Sequence, residues 1–108
     1  MPMYLIQASY TAEALAALAK RPQDRTPAVA ALLERLGGKL HHLFYALGDY
    51  DIVGLAEMPD ETVATAVAFA ISAPGHIRTY KTTRLLSVEE AMEGMRKAGE
   101  ATYQAPQG

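Results

Sequence analysis

Apolar and polar positions change their spacing several times along the chain, and each change predicts an element. MYLIQASY is rich in aliphatic and aromatic side chains and predicts a first strand from Met3 to Tyr10. TAEALAALAK is dense in alanine and leucine and predicts a helix capped by Thr11, until Arg21-Pro22 interrupts it. Thr26-Pro27 restarts the helix, with Thr26 as cap and proline at the first helical position. AVAALLERL carries its apolar stripe, and Gly37-Gly38 supplies a left-handed stop. KLHHLFYAL (Lys39 to Leu47) and DIVGLAEM (Asp51 to Met58) predict two strands around a GDY turn. Pro59-Asp60 opens a second helix that ends at Ala73-Pro74-Gly75, and His76 to Leu86 predicts a fourth strand. Ser87 and Glu90 form the S-x-x-E capping box of a last helix, since each side chain can reach the other's free backbone N–H.

The order β-α-β-β-α-β-α is the ferredoxin-like split βαβ arrangement with one C-terminal helix added, an α+β fold on a four-stranded antiparallel sheet. Residues 1–99 form one domain in this reading, and 100–108 a flexible tail. The helices of such a fold cover one sheet face and leave the other open. With an even-length loop at Gly48, alternation sorts the hairpin into two sets. His41, Leu43, Tyr45, Leu47, Ile52, Gly54 and Ala56 form one; Leu40, His42, Phe44, Ala46, Asp51, Val53, Leu55 and Glu57 form the other. The first set holds the smaller residues, Gly54 and Ala56, which let a helix approach closely, and is assigned to the helices. An odd-length loop would swap the sets, with His41 and Tyr45 replacing His42 and Phe44. Both sets are largely apolar, whereas a half-solvated sheet alternates apolar with polar. A second copy packed sheet against sheet resolves this, so a homodimer or higher homo-oligomer is expected.

Composition narrows the functional classes. A 108-residue chain suits one domain with a modest core, and half of its residues are hydrophobic. The formal charge of −2 lacks the basic footprint of nucleic-acid binding. With no cysteine, thiolate nucleophiles, disulfides and cysteine metal sites are excluded. No apolar run has membrane-spanning length, and the N-terminus lacks the pattern of a secretory signal, so no membrane partner and a cytoplasmic location are expected.

The string LGDYDIVGLAEMPD resembles the GYD-domain family, whose Gly-x-Tyr-Asp motif falls here on Gly48, Tyr50 and Asp51. LERLGGKL before it and GHIRTYKTTRLLSVEEA after it are also similar, so the resemblance runs from about Met3 to Arg96. It implies the dimeric α+β-barrel group of ferredoxin-like proteins and carries over no catalytic residue. Structural relatives of that group range from cofactor-free monooxygenases, isomerases and haem enzymes to amino-acid-sensing domains, too broad to fix an activity.

Candidate chemistry concentrates on the sheet. Gly48 and Asp49 are accounted for by turn chemistry. Asp51 is costly on a sheet interior unless paired, so it either caps the turn, pairs with an arginine, or serves a site; the structural readings weigh more. His42 suits a general base near neutrality. His41 and His42 point to opposite faces unless a bulge intervenes, and His76 has no carboxylate at a ligand spacing, so no metal site and no cofactor are expected. Arg78 and Arg84 share a face with Tyr80, opposite Lys81; they make either a charged edge strand or a clamp for a carboxylate or phosphate. Three functions are open. The first is a cofactor-independent enzyme of small-molecule metabolism, with His42 and Asp51 catalytic and with Gln7, Phe44, Arg78 and Tyr80 binding a small anionic or aromatic metabolite in a cavity between sheet faces. The second is a non-catalytic metabolite sensor or carrier. The third is a structural assembly protein.

Overall fold

The computed structural model describes residues 1–107 and carries eight elements in the order β-α-α-β-β-α-β-α. They are β1 (Met3–Tyr10), α1 (Ala12–Lys20), α2 (Thr26–Arg35), β2 (Lys39–Tyr45), β3 (Ile52–Glu57), α3 (Glu61–Ser72), β4 (Ile77–Leu85) and α4 (Val88–Glu100). The interruption at Arg21-Pro22 separates two helices. Thr26 begins α2 rather than capping it. The preceding Arg25 provides no side-chain cap, and the Thr26 N–H donates to Asp24 Oδ1 at 2.9 Å. Thr11, Asp60 and Ser87 cap α1, α3 and α4 through their side-chain oxygens, and Ser87 with Glu90 completes the capping box. The expected tail begins after α4, and Gly108 lies outside the described residues.

The strands form one antiparallel sheet in the order β2-β3-β1-β4. Ile52, Gly54 and Ala56 are buried against the helices and pair with Ala8, Ile6 and Tyr4 of β1. Tyr4, Ile6, Leu33, Ala56, Met58, Ala64 and Val67 form the core between the sheet, α2 and α3. At Gly38 an added Cβ would stand 2.6 Å from the Glu57 carbonyl oxygen, so a glycine lets the α2–β2 turn lie against β3.

The loop between β2 and β3 spans residues 46–51, and Tyr45 pairs with Ile52, so the even-loop alternation holds where the hairpin closes. It fails further along β2. One extra residue, His41, is inserted between the Leu40–Ala56 and His42–Leu55 pairs. Leu40, expected on the open face, therefore packs beside the core, while His41 reaches Glu57 with Nε2 2.9 Å from Oε1. Leu47, expected under the helices, is an exposed residue of the turn.

α4 contributes no buried residue and makes no extensive contact with another element. Its first turn is tied to β4 by an Arg84–Glu90 ion pair at 3.2 Å. The molecule measures 57 × 38 × 22 Å with a radius of gyration of 17.6 Å, against about 13 Å for a compact chain of this size.

Candidate functional site

A cavity of about 380 Å³ lies between the helices and the sheet. Its inner part is apolar, lined by Ile6, Val29, Leu32, Leu40, Leu43 and Ile71 among others. Room for it comes from small residues. Ala14 and Ala17 of α1, Ala28 of α2 and Ala70 of α3 meet Ala8 and Gly54 of the sheet around it. A Cβ at Gly54 would be only in ordinary contact with Leu43, Leu40 and the His42 carbonyl. Gly54 thus opens space for the cavity and does not admit a helix, contrary to the expectation from its size.

Tyr80 is the polar group that enters this space. It pairs with Ala8, whose side chain is buried under the helices, so the ring of Tyr80 lies on the helix side of β4. The expectation that Tyr80 joins Gln7 on the open face is corrected by this register. Burial pushes its phenol up to about 12, and the Thr82 side chain lies near enough to oppose part of the rise. The buried hydroxyl has no hydrogen-bond partner. A hydroxyl in that state costs roughly 1–3 kcal/mol relative to a satisfied one.

The open end of the cavity is polar. Half-buried Tyr10 and exposed Gln23, Arg25 and His76 line it there, where β1 ends, β4 begins and the α1–α2 connection crosses. Tyr45 holds that connection in place: its hydroxyl accepts from the Arg25 N–H at 3.3 Å and donates to the Gln23 carbonyl at 3.2 Å. Arg25 Nη1 donates to Gln23 Oε1 at 3.0 Å. The Tyr10 phenol is raised chiefly by burial and then by Tyr45, while the charge of Arg25 opposes the rise.

The other residues singled out in the sequence occupy different places. Asp51 Oδ2 accepts from the Tyr10 N–H at 2.8 Å, its own N–H donates to the Ala8 carbonyl, and its carbonyl accepts from Ala46. It thereby secures the end of β1 where the pairing with β4 shifts register, and it lines a shallow depression beside the cavity. His42 and Phe44 stand on the open face opposite Leu55 and Val53, their rings stacked at 5.8 Å. Gln7 is on the same face, between Val53 and Lys81. Arg78 is exposed and is the extra residue at the β1–β4 register shift. Of the six residues named from the sequence, His42, Phe44 and Gln7 therefore share the open face, while Tyr80 and Asp51 lie elsewhere and Arg78 sits at the register shift. Among the described residues, no group of three or more His, Asp or Glu side chains could hold a metal ion. Tyr10, Gln23 and Arg25 have no part in the sequence reading, and His76 enters it only as a metal ligand that lacks a partner. The signal that could have indicated this cavity is the repetition of alanine along α1, α2 and α3 opposite Gly54.

The GYD domain family matches residues 4–95, and the chain belongs to that family. Among solved structures, TTHA0845 from Thermus thermophilus superposes with a TM-score of 0.52 at 16% identity, covering 82% of this chain and 96% of its own. MtbAldR superposes with a TM-score of 0.56 at 9% identity over 80% of this chain. This chain spans about half of MtbAldR, 52% of its length. At such identities the likeness is one of fold, the ferredoxin-like α+β arrangement described above. No curated protein matches the sequence closely enough to serve as a relative.

Proposed function

We propose that this GYD-domain protein is a metabolite-binding module, a sensor or carrier that takes a small and mainly apolar molecule into the cavity between its helices and its sheet. The observation that carries this reading is the Tyr80 hydroxyl, buried without a partner beside the aliphatic inner walls of the cavity. A volume of about 380 Å³ falls within the roughly 300–1,000 Å³ of small-ligand sites. An acceptor on the ligand would satisfy the phenol, and that gain would be larger in the dry cavity than in water. Binding without conversion is favoured over catalysis because the two residues that the sequence suggests for acid–base work stand apart from the cavity, and no carboxylate joins His76 in its lining among the described residues. Asp51 holds a backbone amide outside the cavity, and His42 lies across the sheet from it.

The module works as a homodimer or higher homo-oligomer. Leu5, Val53 and Leu55 are half-buried and Phe44 is 62% exposed on the sheet face that the helices leave open. A second copy covering this face would remove a contiguous apolar patch from water.

Native mass spectrometry of the purified protein, compared with its denatured mass, tests both parts together. The expected spectrum is a dimer or larger assembly carrying retained small-molecule mass. Ala17→Leu, which fills the cavity from α1, is expected to lose that mass while keeping the assembly. Retention of the same adduct in the filled variant would refute the cavity as its site.

A further inference from the structure

The lining of the cavity is one-sided in charge. Arg25 is its one permanently charged side chain, His76 is its other basic group, and no aspartate or glutamate belongs to it among the described residues. Both basic groups stand at the open end, whereas the inner walls are aliphatic. Arg25 takes part in no ion pair among the described residues, and one of its donors is engaged by Gln23. A guanidinium has five N–H donors, so enough remain for a two-point contact. Its backbone is fixed by the bond to Tyr45 and by the start of α2 immediately after it. The two nearby acids are engaged elsewhere: Asp24 accepts from the Thr26 N–H and Asp51 from the Tyr10 N–H.

Resting on the binding reading above, we propose that the ligand is an amphipathic organic acid. Its largely apolar body, with an acceptor for the Tyr80 hydroxyl, fills the cavity, and its carboxylate is received at the open end by the Arg25 guanidinium. A carboxylate matches that group's planar donor geometry, and two parallel charge-assisted bonds fix the direction in which the molecule enters. Arg25 then sets specificity for charge, and the aliphatic walls set it for shape. The volume suits a single fused ring system or a medium-length chain rather than a long lipid.

Isothermal titration calorimetry on the full chain tests this with 7-oxooctanoate and 6-methoxynaphthalene-2-carboxylate, whose second oxygen can accept from the Tyr80 hydroxyl, each beside its neutral primary amide. The expected result is that at least one acid binds about tenfold or more tightly than its amide, the size of one charge-assisted contact. Arg25→Gln is expected to weaken the acid about tenfold or more and the amide far less, so that the acid-over-amide preference disappears. Arg25 is exposed and outside the core, so the variant keeps the fold, which circular dichroism verifies. Equal binding of acid and amide, or a preference that survives Arg25→Gln, overturns the assignment of an acid while the cavity stands as a site. Absence of binding by all four compounds at millimolar concentration overturns the binding reading itself.

Discussion

A single carboxylate shows how residue type constrains without deciding. Asp51 follows a turn and precedes an apolar strand, so it had either to be paired or to serve a site, and pairing with the Tyr10 N–H is what the fold provides. Asp51→Ala would leave that amide without its acceptor, at a cost of roughly 1–3 kcal/mol. The expected result is a urea midpoint shifted down with an unchanged slope, and a smaller shift for Asp51→Asn, which keeps an acceptor. Tyr80 was assigned from polarity, and polarity misled, because only the β1–β4 register tells which face a β4 residue takes. Its buried phenol makes a pH prediction. The folded protein holds the proton up to about 12, while the unfolded chain releases it near 10. Between these values the native state binds more protons, so stability falls as pH rises through that window. Denaturation midpoints measured from pH 9 to 12 are expected to fall less steeply in Tyr80→Phe than in the parent.

Elements were legible where local chemistry acts alone and less so where neighbours intervene. The caps at Thr11, Asp60 and Ser87 use a side-chain oxygen and a nearby amide, so a few adjacent residues suffice to find them. The bulge at His41 depends on how β2 meets β3 and has no mark in KLHHLFY, which is why Leu40 was placed on the wrong face. The cavity is harder still to foresee, because alanine-rich helices read as good helix formers before they read as thin walls. α4 separates local from tertiary stability, since it has strong capping and no buried residue. Ser87→Ala is expected to weaken the helix by about 1 kcal/mol. Helical circular dichroism should then decline at low temperature while the main unfolding transition stays in place. A shift of the main transition by several degrees would mean that α4 is packed against something, and a second copy is the candidate.

At the scale of the whole molecule, the question is whether the open surfaces suffice to hold two copies together. Complete burial of Leu5, Phe44, Val53 and Leu55 would contribute less than the ~1.5–3 kcal/mol assigned to each fully transferred side chain, since three of them are half-buried already. Association costs roughly 4–15 kcal/mol in lost freedom, so the sheet face alone is marginal. α4 changes the balance. Val88, Met92 and Met95 repeat at helical spacing along one stripe, and Val88 and Met95 are 76% and 67% exposed. A partner that covered both surfaces would bury three more large side chains, and the proposed assembly is expected to need both. Leu55→Lys places a charge at the centre of the sheet face, and Met95→Glu places one on the stripe. Sedimentation equilibrium is expected to show each variant dissociating at concentrations where the parent stays assembled, with circular dichroism preserved for both. Dissociation by Leu55→Lys alone would restrict the interface to the sheet. An assembly that resists both substitutions would place the contact elsewhere and leave the apolar sheet face to be explained by another partner.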